Sequence, residues 1–276
     1  MRPSPRTVLL FVLGMGSITA IATVVGLEVG GPDGALAIRD LGKLAVIIGL
    51  AMVVLSAAAL LPRRHDGRGA WAFIGIALLC VGIGDAVGTH IEIVQGREVP
   101  FPGAADVFRV AYCLLLFGGL QSAVRRYRAR TSLAGAAWFS AASGALLLAV
   151  IWLTILQPYI LADGGLSGGA RFLSILYPVV DVMALFVPAM FMLLAAVRLG
   201  HGGAAMPWYA LCSGVLVLVA SDVGFSYLTV TDSYQAGAIV DYGWMFAYVL
   251  IAVGASLAHD LAQPRAQATR LAHESA

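Results

Sequence analysis

Long apolar runs separated by short polar or glycine-rich breaks dominate the hydropathy pattern of this chain. A bilayer core about 30 Å thick needs roughly 20 consecutive apolar residues per helix. Eight runs reach that length, near residues 7–28, 41–61, 70–91, 104–124, 133–157, 172–198, 206–230 and 236–259. The breaks include a basic segment at 62–68, an arginine-rich segment at 125–130 and a glycine-rich segment at 163–169. The pattern predicts an all-α polytopic membrane bundle of eight transmembrane helices.

Composition agrees with a membrane protein and excludes most soluble classes. Hydrophobic residues fill 60% of the 276 positions, charged residues only 12%, and the mean hydropathy is +0.90. A soluble domain carries roughly twice that share of charge. The net charge of +2 gives no basis for binding nucleic acid. The lipid bilayer is therefore the predicted surrounding. Cys80, Cys113 and Cys212 all lie within apolar runs, where we expect packing residues and neither disulfides nor metal ligands.

Basic residues between the runs predict the orientation. The amino terminus, the connections after spans two, four and six, and the carboxyl terminus hold 12 of the 17 Lys and Arg residues. Because basic loops stay inside, both termini are predicted to be cytoplasmic. The Ala, Gly, Val and Arg content points to a bacterial chain, and hence to the inner membrane. The first run contains Ala20-Ile21-Ala22, which resembles a signal-peptide cleavage site, but it stays apolar to Leu27 and is interpreted as a span.

Two stretches of the chain repeat each other. Trp71 at the start of span three precedes Asp85 by the same interval that separates Trp208, at the start of span seven, from Asp222. The next span repeats a second pattern, because the segment 106–112 resembles the segment 241–248. An even number of spans per unit makes the copies parallel. We therefore predict two parallel four-helix repeats, at 1–130 and 131–260, followed by a short cytoplasmic tail at 261–276.

The distribution of carboxylates points to a site. At 1.5 Å rise per residue, Asp85 and Asp222 lie about 22 Å above the cytoplasmic starts of their helices, and Asp181 lies roughly 15 Å inward from Arg171. Five carboxylates thus fall in the outer half of the membrane: Asp85, Asp106, Asp181, Asp222 and Asp241. A buried ionised group costs a few kcal/mol or more, so each must be paired, protonated or hydrated.

Two interpretations of these carboxylates remain open. Each Asp can pair with Lys43, Arg109 or a nearby Tyr or Trp donor and fix helix packing. Alternatively, the carboxylates outnumber the two cations at membrane level, and the excess binds a proton, a cation or a small polar ligand from outside. The predicted ligand- or ion-binding set consists of the five Asp residues with Arg109, Tyr177 and Trp244. His90 and Glu92 follow Asp85 and are weaker candidates for a metal site.

Several short motifs resemble the multi-span amino-terminal input module of bacterial cyclic-di-GMP signalling proteins, whose outputs are GGDEF and EAL domains. The segment 100–112 is similar to a P-S-x-A-D-x-x-Y-L-x-x-Y pattern, although Gly103 replaces its Ser and Phe108 its first Tyr. Further similar pieces are Gly84-Asp85, Tyr177-Pro178-Val-Val-Asp181, Ala220-Ser-Asp222 and 237–244, so the resemblance covers most of residues 70–260. It implies a sensory or regulatory input. Neither a Gly-Gly-Asp-Glu-Phe nor a Glu-Ala-Leu string occurs, so the expected output is a partner protein or a fused domain beyond this chain.

Other functions remain as alternatives. Parallel repeats with buried acids also describe proton- or cation-coupled transporters. The string Gly82-Ile-Gly84-Asp85 matches the Gly-x-Gly-Asp pattern of intramembrane aspartyl proteases, but four-letter motifs have high false-positive rates. No other catalytic motif is found, and we predict a non-enzymatic membrane sensor or regulator without a cofactor. A small ligand or cation is its expected effector, and a homodimer is among its expected assemblies.

Overall fold

The computed structural model describes residues 3–63, 65, 67–128, 133–162, 165–198, 203–235 and 237–274. Arg2, Arg64 and Arg130, which contribute to the predicted orientation, lie outside the described residues. The same holds for positions 163 and 164 of the predicted glycine-rich connection, and for position 236 at the predicted start of the last span.

The described chain is helical and contains no strand. Its eight helices are α1 (Pro5–Gly26), α2 (Gly31–Leu60), α3 (Arg68–Thr89, with a π-helical end His90–Val94), α4 (Ala104–Arg128), α5 (Ala134–Ile151, with a π-helical end Trp152–Leu161), α6 (Gly168–Val180, π-helical Asp181–Phe186 and Val187–Arg198 in one continuous rod), α7 (Met206–Val230) and α8 (Ile239–Glu274). Each contains a segment long and apolar enough to cross a bilayer. The predicted class, an all-α polytopic membrane bundle with eight spans, is confirmed.

Two helices extend beyond the predicted runs. Helix α2 begins at Gly31, well before the predicted run at 41–61, because Arg39 and Asp40 interrupt the apolar pattern without interrupting the helix. The two charges pair with each other, with the Arg39 Nε atom 2.7 Å from Asp40 Oδ1. Helix α8 continues to Glu274 and so includes most of the segment 261–276, which was predicted to be a short cytoplasmic tail.

Short connections make consecutive helices antiparallel, and the bundle has two distinct ends. We call the end that carries the connections 27–30, 95–103 and 231–238 the acidic end, and the end where α1 begins the terminal end. At the terminal end, Thr7 Oγ1 donates a hydrogen bond of 2.7 Å to Asp260 Oδ2 and lies 2.7 Å from Ser256 Oγ. These contacts fix α1 against α8.

Close helix contacts and stacked aromatic rings form the interior. Helix α8 packs against α1, α2 and α7, while α6 packs against α4, α5 and α7. The Trp71 and Trp208 rings stack with centroids 5.6 Å apart and an interplanar angle of 16°. Gly214 allows α7 to approach α8, since a Cβ atom there would lie 2.7 Å from the Ala247 carbonyl oxygen. Small residues at such interfaces let helix backbones approach closely in lipid.

Candidate functional site: a network of aspartates in one half of the bundle

Asp85 on α3 is held by cations from both neighbouring helices. Lys43 Nζ on α2 lies 3.0 Å from Asp85 Oδ2, and Arg109 Nη2 on α4 lies 3.9 Å from Asp85 Oδ1. Gly84 makes this approach of α4 possible, because a Cβ atom there would already lie 3.1 Å from the Ala105 carbonyl oxygen. Asp85 is therefore compensated by two positive charges within the bundle.

Asp106 caps the first turn of α4 and contacts a second helix. The Gly103 backbone N–H donates to Asp106 Oδ2 at 2.8 Å, and the Tyr177 hydroxyl on α6 donates to Asp106 Oδ1 at 2.8 Å. Arg109 Nη1 lies 3.9 Å from Oδ1, so this guanidinium lies between Asp85 and Asp106. A carboxylate in the first turn also interacts favourably with the helix dipole. The proline-rich segment before α4 positions this cap.

Asp222 on α7 accepts a hydrogen bond from the adjacent helix. Trp244 Nε1 on α8 donates to Asp222 Oδ1 at 2.8 Å. Lys43 Nζ lies 5.1 Å from the centroid of the Trp244 ring, within the range of a cation–π interaction. Lys43 thus connects Asp85 and Trp244, and through Trp244 the network extends from α2 and α3 to α7 and α8.

Asp181 on α6 is the exception among these carboxylates. The residue is 6% exposed, and no group in the described chain donates a hydrogen bond to its carboxyl or forms an ion pair with it. The charged neighbour that acts on it is Asp222, another carboxylate. Asp181 begins a π-helical segment that follows Pro178, which has no backbone N–H to donate. Such π-helical turns are frequent at functional sites.

Two buried tyrosines lie within electrostatic range of the same carboxylates. Tyr112 is 5% exposed, and its hydroxyl is buried without a hydrogen-bond partner among the described residues. Its ring contacts that of Tyr248 edge to face, with centroids 6.5 Å apart. Both tyrosines interact electrostatically with Asp222, and Tyr112 also interacts with Asp181. Neither tyrosine is among the predicted site residues, although Tyr112 and Tyr248 occupy corresponding positions in the predicted repeat.

Asp241 belongs to a separate group at the acidic end. The Gly237 backbone N–H donates to Asp241 Oδ2 at 2.7 Å, and the Tyr234 hydroxyl donates to Asp241 Oδ1 at 3.0 Å. Burial and the Asp241 carboxylate raise the pKa of Tyr234, so this hydroxyl remains a donor at neutral pH. The Phe225 ring lies 4.9 Å from that of Tyr234 and 5.3 Å from that of Trp244, which links this group to the network.

The weaker metal candidates do not form a ligand set. Among the described residues, no three His, Cys, Asp or Glu side chains come together in a way that could hold a metal ion. His90 is exposed at the π-helical end of α3, and with Ile48 and Ile83 it lines an apolar groove between α2 and α3. The trio of Asp85, His90 and Glu92 is therefore not assembled.

The structure thus brings together six members of the predicted set: Asp85, Asp106, Arg109, Tyr177, Asp222 and Trp244. Asp181 is within electrostatic range of Asp222 and has no donor among the described residues, and Asp241 lies in the neighbouring group. No known protein family, no characterised protein and no solved structure matches this chain. The resemblance to signalling input modules therefore stays a prediction.

Proposed function

We propose that this integral membrane protein is a sensor or regulator, in which a small cation, proton or polar ligand enters from the acidic end and binds among the aspartates. The observation that carries this proposal is Asp181, a buried carboxylate whose charged neighbour is a second carboxylate. A buried charge without a partner costs several kcal/mol, so a bound positive charge stabilises this arrangement strongly. The predicted orientation makes the acidic end external.

The distribution of polar groups along the bundle favours a sensor over a transporter. The interior between the network and the terminal end is filled by fully buried apolar side chains, among them Leu78, Leu116 and Leu211. A carrier needs access to its site from both sides of the membrane. A site that communicates with one side only suits detection better than transport.

The geometry of Asp85 does not favour an intramembrane protease. In an aspartyl protease, two carboxylates share one proton and activate water. Asp85, the residue of the Gly-x-Gly-Asp match, is instead 3.0 Å from the Lys43 ammonium. A lysine at this distance neutralises the carboxylate that such a mechanism would use.

Helix α8 supplies a route from the site to the other end of the molecule. It carries Trp244 in the network and continues as one helix to Glu274, beyond the segment Ile239–Gln263 that suits the bilayer. A change in the charge of Asp222 acts on Trp244 through their hydrogen bond and thereby biases the position of α8. The expected partner is a cytoplasmic or fused output domain that contacts the end of α8, as the resemblance to cyclic-di-GMP input modules implies.

Hydrogen–deuterium exchange of the protein in lipid nanodiscs tests this proposal. We expect the amides of α8 between residues 255 and 274 to change their exchange rates when pH or small cations are varied at constant ionic strength. The change should disappear in Asp222→Asn and persist in Asp232→Asn, a matched substitution of an exposed carboxylate in the connection before α8.

Uptake into proteoliposomes distinguishes the transporter. If cation or proton flux depends on Asp222, the transporter replaces the sensor as the account of this site. If the wild-type α8 shows the same exchange under every condition, the proposed route through α8 is wrong.

A further inference from the structure

The apolar groove between α2 and α3 opens on the surface of the bundle and has a volume of about 510 Å³. Leu44 and Ile48 of α2 form one wall, and α3 forms the other wall, where the small residues Gly82 and Ala86 leave room. Ile83, which also lines the groove, is 42% exposed. Because both helices cross the bilayer, the groove faces lipid.

Close contact between α2 and α3 closes the groove toward the terminal end. A Cβ atom on Gly82 would lie 2.8 Å from Ile48 Cδ1, and one on Gly75 would lie 2.6 Å from Leu55 Cδ2. Toward the acidic end, the lining continues to Gln95, just beyond the segment of α3 that suits the bilayer. The groove therefore has a closed end inside the membrane and an open end at the membrane surface.

The length of the groove matches one leaflet of a bilayer. Gly82 and Gln95 are 13 positions apart, which corresponds to about 20 Å along the helix at roughly 1.5 Å per residue. A bilayer with its interfacial layers is about 40–45 Å thick, so one leaflet takes up about 20–22 Å. If a methylene group occupies roughly the 30 Å³ that a water molecule takes up in the liquid, 510 Å³ holds about 17 methylene groups. Both dimensions fit one acyl chain of a membrane phospholipid.

Polar side chains lie at the open end of the groove. His90 and Gln95 line it there, and both are exposed. The Arg97 guanidinium donates a hydrogen bond to the Gln95 side-chain oxygen, and the Arg97 backbone N–H donates to the Ile91 carbonyl oxygen at 3.3 Å. Glu92 is two positions from His90 and so does not share its face of the helix. A guanidinium group and an imidazole N–H are donors that suit phosphate oxygens. The open end thus has the chemistry to bind a phospholipid headgroup.

We propose that this groove binds one phospholipid of the leaflet at the acidic end, with one acyl chain between Ile48 and Ala86 and the phosphate beside Arg97. A volume of 510 Å³ spread over about 20 Å gives a cross-section of about 25 Å². A helix about 10 Å in diameter has a cross-section of about 80 Å², so a helix of a second protein copy does not fit. This lipid site is separate from the aspartate network and does not depend on the proposed sensor.

Photolabelling of the wild-type protein in phosphatidylcholine nanodiscs tests the position of the chain. The probe is a phosphatidylcholine with a diazirine at the end of one acyl chain, mixed in small amount into the nanodisc lipid. We expect the labelled peptides to concentrate around Ile48 and Gly82, at the closed end of the groove. A diazirine close to the glycerol should instead label the peptide that contains His90 and Gln95. Labelling spread evenly over the lipid-facing sides of all helices would overturn the proposal, because it would show ordinary bilayer contact.

Native mass spectrometry measures how tightly the lipid is held. We expect the protein, released from micelles that contain phosphatidylcholine, to retain one lipid molecule preferentially. Ala86→Phe fills the groove with a phenyl ring and should abolish this retention. Ala59→Phe, the same exchange at an exposed position of α2 near the terminal end, should leave retention unchanged. Equal retention by wild type and Ala86→Phe would contradict the site, and if Ala86→Phe does not fold, the photolabelling of the wild type still decides.

Changes at the open end test the headgroup contact in the same assay. Arg97→Gln should weaken the retention of phosphatidylcholine about fivefold, since it removes a charge-assisted hydrogen bond at an exposed position. Arg63→Gln, at an exposed position near the terminal end, should have no effect. Diacylglycerol with the same acyl chains lacks the phosphate, and the wild type should retain it more weakly than phosphatidylcholine. Equal retention of the two lipids would overturn the phosphate contact. A lipid-free dimer that Ala86→Phe dissociates would assign the groove to a second copy and overturn the lipid site.

Discussion

Removing the Lys43 ammonium leaves Asp85 buried beside a single distant cation. We consider Lys43→Met, because methionine keeps most of the length of the side chain and its apolar packing. In the wild type, the side chains of Lys43 and Asp85 are 22% and 11% exposed, with 3.0 Å between Nζ and Oδ2. After the substitution only Arg109 remains near Asp85, at 3.9 Å and with a side chain that is 45% exposed.

The expected cost follows from the burial of this pair. Breaking a fully buried ion pair by removing one partner costs about 3–5 kcal/mol. Because Arg109 remains and Lys43 is not fully buried, we expect Lys43→Met to lower the free energy of unfolding by about 2–3 kcal/mol. Lys43→Met combined with Asp85→Asn leaves no uncompensated charge, and it should come within about 1 kcal/mol of the wild type.

Reversible unfolding by SDS in mixed micelles measures these differences. The double-mutant cycle should give a coupling energy of roughly 2 kcal/mol between the two residues. A cost below about 1 kcal/mol for Lys43→Met would mean that Asp85 is compensated by solvent. A double variant no more stable than Lys43→Met would show that the lysine acts through packing. Either outcome would refute the conclusion that the Lys43 ammonium compensates the Asp85 carboxylate.

Three further predictions concern other contacts. Tyr177→Phe should lower the free energy of unfolding by about 1 kcal/mol in the same SDS assay, since Asp106 keeps its backbone donor; no loss would mean that the hydroxyl contact is unimportant. Gly214→Leu should lower the free energy of unfolding by more than about 2 kcal/mol, because α8 occupies the space that the added atoms need. Gly16→Leu is the control and should have little effect, since a Cβ atom there meets nothing within 4 Å. Equal effects of the two substitutions would contradict the close approach of α7 and α8. Ser233→Cys in a cysteine-free background should react with an impermeant maleimide added outside intact cells. Failure of this cysteine to react would mean that the orientation is opposite to the predicted one.

The fold was predictable because lipid imposes a simple rule on the chain. A helix makes all its backbone hydrogen bonds internally, and a bilayer requires about 20 apolar residues per crossing. The lengths of the apolar runs alone were therefore enough to locate eight spans. The rule fails where charges lie inside a helix, and α2 therefore begins at Gly31, ahead of its apolar run. It also says nothing about where α8 stops once it has passed the apolar segment, and this helix continues to Glu274.

The site was predictable in its residue types and depth but not in its pairings. Helical rise placed Asp85, Asp181 and Asp222 in the same half of the bundle. The partner of each carboxylate depends on the rotation of every helix about its axis, which hydropathy does not specify. The π-helical segment Asp181–Phe186 rotates the two parts of α6 relative to each other, and it has no clear signature in the hydrophobic pattern. Asp241 joined a separate group for a related reason, since the chain just before α8 supplies its donors.

The alternative left open by the sequence, that each aspartate is paired within the bundle, holds for four of the five. Asp85 has Lys43, and hydrogen bonds hold Asp106, Asp222 and Asp241. Asp181 has no such partner in the described chain, so the case for a ligand rests on this residue. The candidate site is therefore narrower than the sequence predicted: it centres on Asp181 and does not require all five carboxylates to converge.

Anomalous diffraction from crystals soaked in Tl⁺, an electron-dense monovalent cation, tests most directly whether Asp181 binds a cation. We expect an anomalous peak next to the Asp181 carboxylate, and we expect Asp181→Asn to lose it. A wild-type structure with no peak there, in which Asp181 accepts hydrogen bonds from protein groups alone, would contradict the proposed binding site.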